Sequence, residues 1–228
     1  MHWVITEHGT AYLFGRSVAE RAVALIEIAH PYDRAALLED AVAHGLVPAG
    51  QQMRSRVAYP VGEERDLRLR DGREVRLRPT RTSDSGAMQE LFYRLSEDER
   101  TRFFQKLTSL TDAAAQHLCS VSYDEEMAFA AVVGPREREP VVGTSCYYLN
   151  PATGLADAAY IVDPDWQGAG LGGALHARLV EYARTQGVRG FTADVLVHNA
   201  AMLRVFQRGE HQLEIDMSGG VQEITMLF

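Results

Sequence analysis

A strand-like run, Asp157-Ala158-Ala159-Tyr160-Ile161-Val162, leads into Asp165-Trp166-Gln167-Gly168-Ala169-Gly170-Leu171-Gly172-Gly173, and a helix-patterned run, Ala174 to Gln186, follows at once. Strand, glycine-rich turn and helix in that order constrain this chain more than any other feature. Glycines let backbone N–H groups close on an anion, and a helix N-terminus adds the positive end of its dipole, so the pattern predicts a phosphate cradle. The same residues also suit a plain strand-to-helix loop. No Lys-Ser or Lys-Thr follows the glycines, which excludes the P-loop of nucleoside triphosphate enzymes. No βαβ repeat is visible around the turn, which argues against a dinucleotide site. What stands there is Gln-x-x-Gly-x-Gly, as Gln167, Gly170 and Gly172.

A chain of 228 residues holds one good-sized domain and an appendage, and an apolar content of 46% is ample for a core. The net charge of −8 argues against a general nucleic-acid binder. No apolar run approaches the ~20 residues of a membrane span, and Met1-His2-Trp3 does not open a basic-then-apolar leader. A cytoplasmic protein is expected, with neither nucleic acid nor membrane among its partners. Cys119 and Cys146 stand apart without metal-ligand spacing and read as reduced core thiols, and no metal is expected. Lys106 is the only lysine among 23 basic residues, which a coding bias towards arginine accounts for.

The chain divides near residues 45–66. Gly and Pro punctuate Gly45-Leu46-Val47-Pro48-Ala49-Gly50, and Pro60 to Arg65 is polar, so residues 51–66 read as a linker. Before it, Ser17 and Glu20 form a capping box for a helix with Ala22, Leu25, Ile26 and Ala29 at helical spacing. A second helix is expected over Tyr32 to His44, giving a short helical appendage. After the linker, Leu67 to Leu77 alternates around Asp71-Gly72 and predicts a hairpin. Helices are expected over Asp84–Leu95, from Ser96 through Phe104, and from Thr111 through Cys119. Strands follow at Met127–Val133, Val141–Tyr148 and 157–162, then helix 173–186 and strand Phe191–Val197. Helix Asn199–Gln207 and strands Leu213–Met217 and Gln222–Leu227 close the chain.

This order, together with Gln167-x-x-Gly170-x-Gly172, resembles the GCN5-related N-acetyltransferase (GNAT) family over residues 67–228. The likeness is strongest to bacterial protein-lysine acetyltransferases. It is carried by Leu69-Arg70-Asp71-Gly72, Arg76-Leu77-Arg78-Pro79, Leu95-Ser96, Arg102-Phe103-Phe104, Tyr123-Asp124, Met127-Ala128, Asp165 to Gly172 and Asn199 to Arg204. The resemblance implies an α/β (α+β) fold, with a mixed, mostly antiparallel sheet flanked by helices. It also implies that acetyl-CoA binds at the glycine turn, through Gln167, Gly168, Ala169, Gly170, Leu171, Gly172 and Gly173. Separately, Thr6 to Leu13, Gly15-Arg16-Ser17, Glu20-Arg21-Ala22 and Leu25 to Pro31 resemble the C-terminal tail of the acetyl-CoA hydrolase/CoA-transferase family. That family's catalytic glutamate lies upstream of such a tail, so residues 1–50 are expected to pack, on this domain or on a second copy, and to do no transferase chemistry.

The family resemblance also implies a chemistry. A glutamate early in the fourth strand of such enzymes takes the proton of the incoming amine, and the matching position here is Asp157. Asp is one methylene shorter, so it needs a closer approach or an intervening water; it equally suits a solvated strand edge. A bulge at the end of that strand would offer the N–H groups of Ile161 or Val162 to the thioester oxygen. Asn199 would contact the CoA arm, although an N-cap alone also accounts for it. His198 is an alternative base. Many members carry a tyrosine seven residues after that Asn; here the residue is Phe206, with no proton to give, and Tyr147, Tyr148 and Tyr160 are weak substitutes. Arg208-Gly209-Glu210-His211 departs from the usual Leu-Gly-Phe and alters the acceptor side. The expected function is acetyl transfer from acetyl-CoA to an amine, either a protein lysine or a small amine. A non-catalytic acyl-CoA sensor and a structural appendage of a CoA-transferase are the competing classes.

Overall fold

The computed structural model describes residues 2–30, 32–51, 59–97, 99–100, 111–123, 125–136, 138–197, 199–208, 211–218 and 220–228. Lys106, His198, Asp124 and the Arg102-Phe103-Phe104 run lie outside them. The chain opens on a hairpin, β1 (Trp3–Thr6) and β2 (Gly9–Tyr12), which corrects the expectation of a purely helical appendage. The turn works because Thr6 Oγ1 accepts the His8 N–H at 3.1 Å and Gly9 sits at φ +147, where a Cβ would come within 3.2 Å of Ile28. Helix α1 (Val18–Glu27) starts on the expected Ser17–Glu20 capping box, and α2 is Arg34–Ala43. The buried face of α1 is Val23, Ala24 and Ile26; Leu25, expected on that face, is exposed.

The appendage meets the rest of the protein through Glu27, whose Oε1 accepts the Thr82 N–H. Residues 59–66, read as linker, are packed rather than free. The Tyr59 hydroxyl reaches Glu64 Oε1 at 3.0 Å and the Pro79 carbonyl at 3.3 Å, and Val61–Glu63 form a 3₁₀ turn.

From Arg65 onward one eight-stranded sheet runs in the order β3-β4-β5-β6-β7-β8-β10-β9. Its strands are β3 (Arg65–Arg68), β4 (Glu74–Pro79), β5 (Glu126–Val132), β6 (Val141–Asn150), β7 (Leu155–Val162), β8 (Gly190–Leu196), β9 (Gln212–Ser218) and β10 (Val221–Leu227). The Asp71-Gly72 turn joins β3 to β4, with Gly72 at φ +87. Every pairing is antiparallel except β7 with β8. Helices α3 (Ser85–Arg94) and α4 (Asp112–Cys119) cover one face, packing Met88, Leu91, Phe92 and Ala115 against Ala130, Val141 and Ile161. Helix α5 (Leu171–Thr185) covers the other through Leu171, Leu175 and Leu179, with α6 (Ala200–Phe206) beside it. With both faces covered, Met127 to Val132 are all buried, which is why β5 reads as an apolar run rather than an alternating one. Both cysteines are free and buried as expected, and burial pushes the Cys146 thiol up to about 12.

Candidate active site

The connection β7-turn-α5-β8 is a single βαβ unit, and Gly168, Gly170 and Gly173 do fit Gly-x-Gly-x-x-Gly spacing. What separates it from a dinucleotide fold is the antiparallel remainder of the sheet and the behaviour of the two parallel strands. They pair only at Leu155↔Gly190, Ala156↔Phe191 and Asp157↔Thr192. Beyond Asp157 they part, although each continues for several residues. A cleft of about 960 Å³ opens there, lined by residues 157–162, by 193–195, and by the turn and α6.

This parting supplies the backbone donors, and no bulge does. The β6–β7 register is unbroken from Gly143↔Val162 to Asn150↔Leu155. The Asp163 N–H donates to the Val142 carbonyl at 3.0 Å, so by the alternation of an antiparallel ladder Ile161 also directs its N–H towards β6. Tyr160 and Val162 direct theirs into the cleft. Of the two donors expected, Val162 is the one whose N–H is turned into the cleft. Ile161 also lines the cleft, but its N–H belongs to the ladder and its side chain packs on the α3 face.

The turn is held from several sides. The Asp163 carboxylate accepts the Asp165 N–H at 3.0 Å and the Arg94 Nε at 2.6 Å. The Arg73 guanidinium lies 4.0 Å from the Trp166 ring and donates to the Asp165 carbonyl at 2.9 Å. Gln167 spends its side-chain amide on Glu99, at 2.7 Å, and on the Val162 carbonyl, at 3.2 Å. Gln167 therefore fastens the turn to the end of β7 through Nε2, and its backbone N–H donates to the Pro164 carbonyl at 3.3 Å. Gly168 and Gly170 take φ +77 and φ +98, the left-handed region that disfavours a side chain. Gly170 caps α5 without a side-chain hydrogen bond, and Ala174 makes the first helical bond back to it. The N–H groups of Leu171, Gly172 and Gly173 thus have no partner within the helix and lie at the positive end of its dipole, a position that favours an anion. Ala169 is a correction: it is buried in the core, its carbonyl accepts the Arg70 N–H at 3.2 Å, and it does not line the cleft.

Three arginines that the sequence reading did not single out for this site surround the cradle. Arg70, Arg204 and Arg208 all line the cleft. A Cβ on Gly170 would lie 3.6 Å from Arg70 Nε, and one on Gly173 would lie 3.6 Å from Arg208 Nη1. Arg208 was expected to alter the acceptor side, yet it stands beside Gly173 at the start of α5. Arg204 lies on α6 and Arg208 two residues past its end, and it is the return of the chain after α6 that brings Arg208 beside the first turn of α5.

Asn199 caps α6, its Oδ1 accepting the Met202 N–H at 3.2 Å, and it also lines the cleft. Its N-cap duty uses the oxygen and leaves Nδ2 for a ligand. Asp157 opens the cleft at the last paired position, exposed, on the same face as Ile161 and hence as α3 and α4. Partial burial raises its pKa above the ordinary Asp value, and the charge of Asp194 adds to the shift. Tyr147 is buried against Phe191, and Tyr148 stacks on His117, so neither reaches the cleft. Tyr160 does reach it, beside Phe206.

Residues 88–209 match the Acetyltransferase (GNAT) family, and residues 1–41 match the acetyl-CoA hydrolase/transferase C-terminal domain. Acetyltransferase PA5475 of Pseudomonas aeruginosa is 32% identical over 135 residues, which is 59% of this chain and 73% of that protein. Acetyltransferase Pat of Mycolicibacterium smegmatis is 28% identical over 62% of this chain, but the match spans only 42% of Pat. The GNAT domain of S. lividans PAT superposes with a TM-score of 0.68 at 23% identity, covering 75% of this chain and 99% of that domain. Fold and cleft together define a GNAT-type acyltransferase scaffold. The chain belongs to the GNAT family of acetyltransferases.

Proposed function

We propose that residues 67–228 form an acetyl-CoA-dependent N-acetyltransferase domain whose acceptor is the side-chain amine of a protein lysine. Residues 1–50 are a CoA-transferase-tail-like packing element, joined through residues 51–66. One observation carries the reading: the strands part immediately after a carboxylate-bearing position, and the resulting cleft is also lined by the glycine turn at the N-terminus of α5. The CoA pyrophosphate sits on the Leu171–Gly173 N–H groups between Arg70 and Arg208. The acetyl thioester lies in the cleft, its oxygen facing the Val162 N–H as charge develops.

A lysine ammonium has a pKa of about 10.4, so at pH 7 only ~1 in 2,500 is neutral, a cost of roughly 4.6 kcal/mol. The ammonium sheds its first proton to solvent, an equilibrium that a neighbouring carboxylate does not make free, and Asp157 takes the second proton, directly or through a water, as the neutral nitrogen attacks. A carboxylate whose pKa is raised towards neutrality is a better match for that task than an ordinary aspartate.

The test is a panel of CoA-pathway enzymes and small amines incubated with this protein and labelled acetyl-CoA. Label on lysine, located by mass spectrometry, is the expected result. Label on small amines alone would replace the acceptor, and label nowhere would contradict the reading.

A further inference from the structure

Asp157 and Tyr160 are three residues apart on β7 and therefore project from opposite faces of the sheet. Asp157 faces the side of α3 and α4, whereas Tyr160 packs with the cluster built on α5. Between them, in the plane of the sheet, the β7 edge is open beyond Asp157. A thioester carbonyl held at this edge presents one side to each face. If the amine enters from the Asp157 face, the thiolate is expelled towards the other.

That thiolate needs a proton. Among the described residues lining the cleft, Tyr160 carries the only hydroxyl, and arginine guanidinium groups do not give protons up near neutral pH. The Tyr160 hydroxyl is 3.0 Å from Nδ1 of His176, on α5. His176 is buried, and its Nε2 has no hydrogen-bond partner. An unpaired buried acceptor is more readily tolerated than an unpaired buried N–H, so the favoured tautomer carries its proton on Nδ1 and donates to the Tyr160 oxygen. In that arrangement the phenol proton points away from His176. Phe206 contacts both rings, at centroid distances of 5.9 Å from Tyr160 and 5.3 Å from His176.

We propose that Tyr160, oriented by His176, is the general acid that protonates the departing CoA thiolate; this rests on the acetyl-transfer reading above. The C–N bond forms and an amine proton passes to Asp157. The C–S bond then breaks, and its electron pair leaves on sulfur. The Tyr160 proton passes to that sulfur, while the Nδ1–H of His176 stabilises the phenolate. When CoA and the amide leave, the proton on Asp157 returns through solvent to Tyr160, so acetyl-CoA and the neutral amine become CoA thiol and amide with no net proton change; the proton that the lysine ammonium sheds beforehand goes to solvent. Burial keeps the phenol protonated across the neutral range. The same dry surroundings raise the proton affinity of the thiolate, so the transfer is better matched than free pKa values suggest.

The test is the single-turnover rate of acetyl transfer for wild type, Tyr160→Phe and a protein carrying 3,5-difluorotyrosine at position 160, whose phenol is more acidic. Tyr160→Phe should lose ~10²-fold or more in rate, the usual size of a general-acid contribution, with CoA affinity within threefold. The difluorotyrosine protein should regain the rate at neutral pH and lose it at a lower alkaline pH than wild type. His176→Phe should cost about tenfold and His176→Asn, whose amide N–H replaces Nδ1–H, should restore most of it. A Tyr160→Phe rate within threefold of wild type, or an alkaline limb that fluorination does not move, would overturn the assignment of Tyr160 alone. Wild type that acetylates no amine would overturn the acetyl-transfer reading and this inference with it.

Discussion

Asp157 pairs across the cleft mouth with Thr192, and Asp194, two residues further along β8, shares its face. The charge of Asp194 raises the cost of ionising Asp157, on top of the burial that is the larger cause. Removing the charge of Asp194 should lower the pKa of Asp157. The acid limb of kcat/KM is therefore expected at lower pH in Asp194→Asn than in wild type, and an unmoved limb would detach Asp157 from the base role. His176 makes a second prediction. Burial, aided by nearby His211, lowers its pKa to about 4 from 6.5. The unfolded chain then binds a proton that the folded protein refuses, so stability falls as pH drops from about 6.5 towards 4, by up to about 3 kcal/mol. Denaturation of wild type and His176→Asn over that range should show the difference, which vanishes above pH 7. At this scale the positions of Asp157, Val162 and Asn199 along the cleft were legible in the sequence because each belongs to a recognisable strand or helix cap. The places of Arg70 and Arg208 beside the turn were not legible, because they depend on which way two distant segments face.

Glycine 170 shows what the turn demands of the element it begins. Its φ of +98 is unfavourable for any L side chain, and the space beside it is taken by Arg70 at 3.6 Å. Gly170→Val should strain the first turn of α5, displace Arg70 and weaken CoA binding at least tenfold, about 1.4 kcal/mol. Calorimetry with a thermal melt as folding control decides; equal affinity in a folded variant would remove the cradle. Most elements were readable because their ends carry local chemistry. The Ser17–Glu20 box, the Thr111 cap, the Asp71-Gly72 turn and the Asn199 cap all form as expected. The N-terminal hairpin was not, since its strands have four residues each and its Glu7-His8-Gly9 turn lacks an Asn-Gly or Asp-Gly signal. The parting of β7 from β8 was also hidden, because strand register across a helical crossover leaves no mark in either strand.

At the scale of the molecule, the N-terminal segment and the cleft lie apart. A second cavity of about 280 Å³ lies between β1–β2, α1 and the Thr82 turn, and no residue lines both cavities. Glu27→Ala leaves the Thr82 N–H without its acceptor and should lower stability by about 1–3 kcal/mol while CoA affinity stays within threefold. Affinity lost in a folded Glu27→Ala protein would make the segment part of the cofactor site. The central claim is narrower than the fold: an amine attacks the thioester in the opened seam and gives its proton to Asp157. The most direct measurement compares turnover and CoA affinity in wild type and Asp157→Asn, which keeps the shape and removes the proton acceptor. The account predicts CoA affinity within threefold and turnover reduced by ~10²–10⁴. Undiminished turnover of Asp157→Asn from pH 6 to 9 would contradict it.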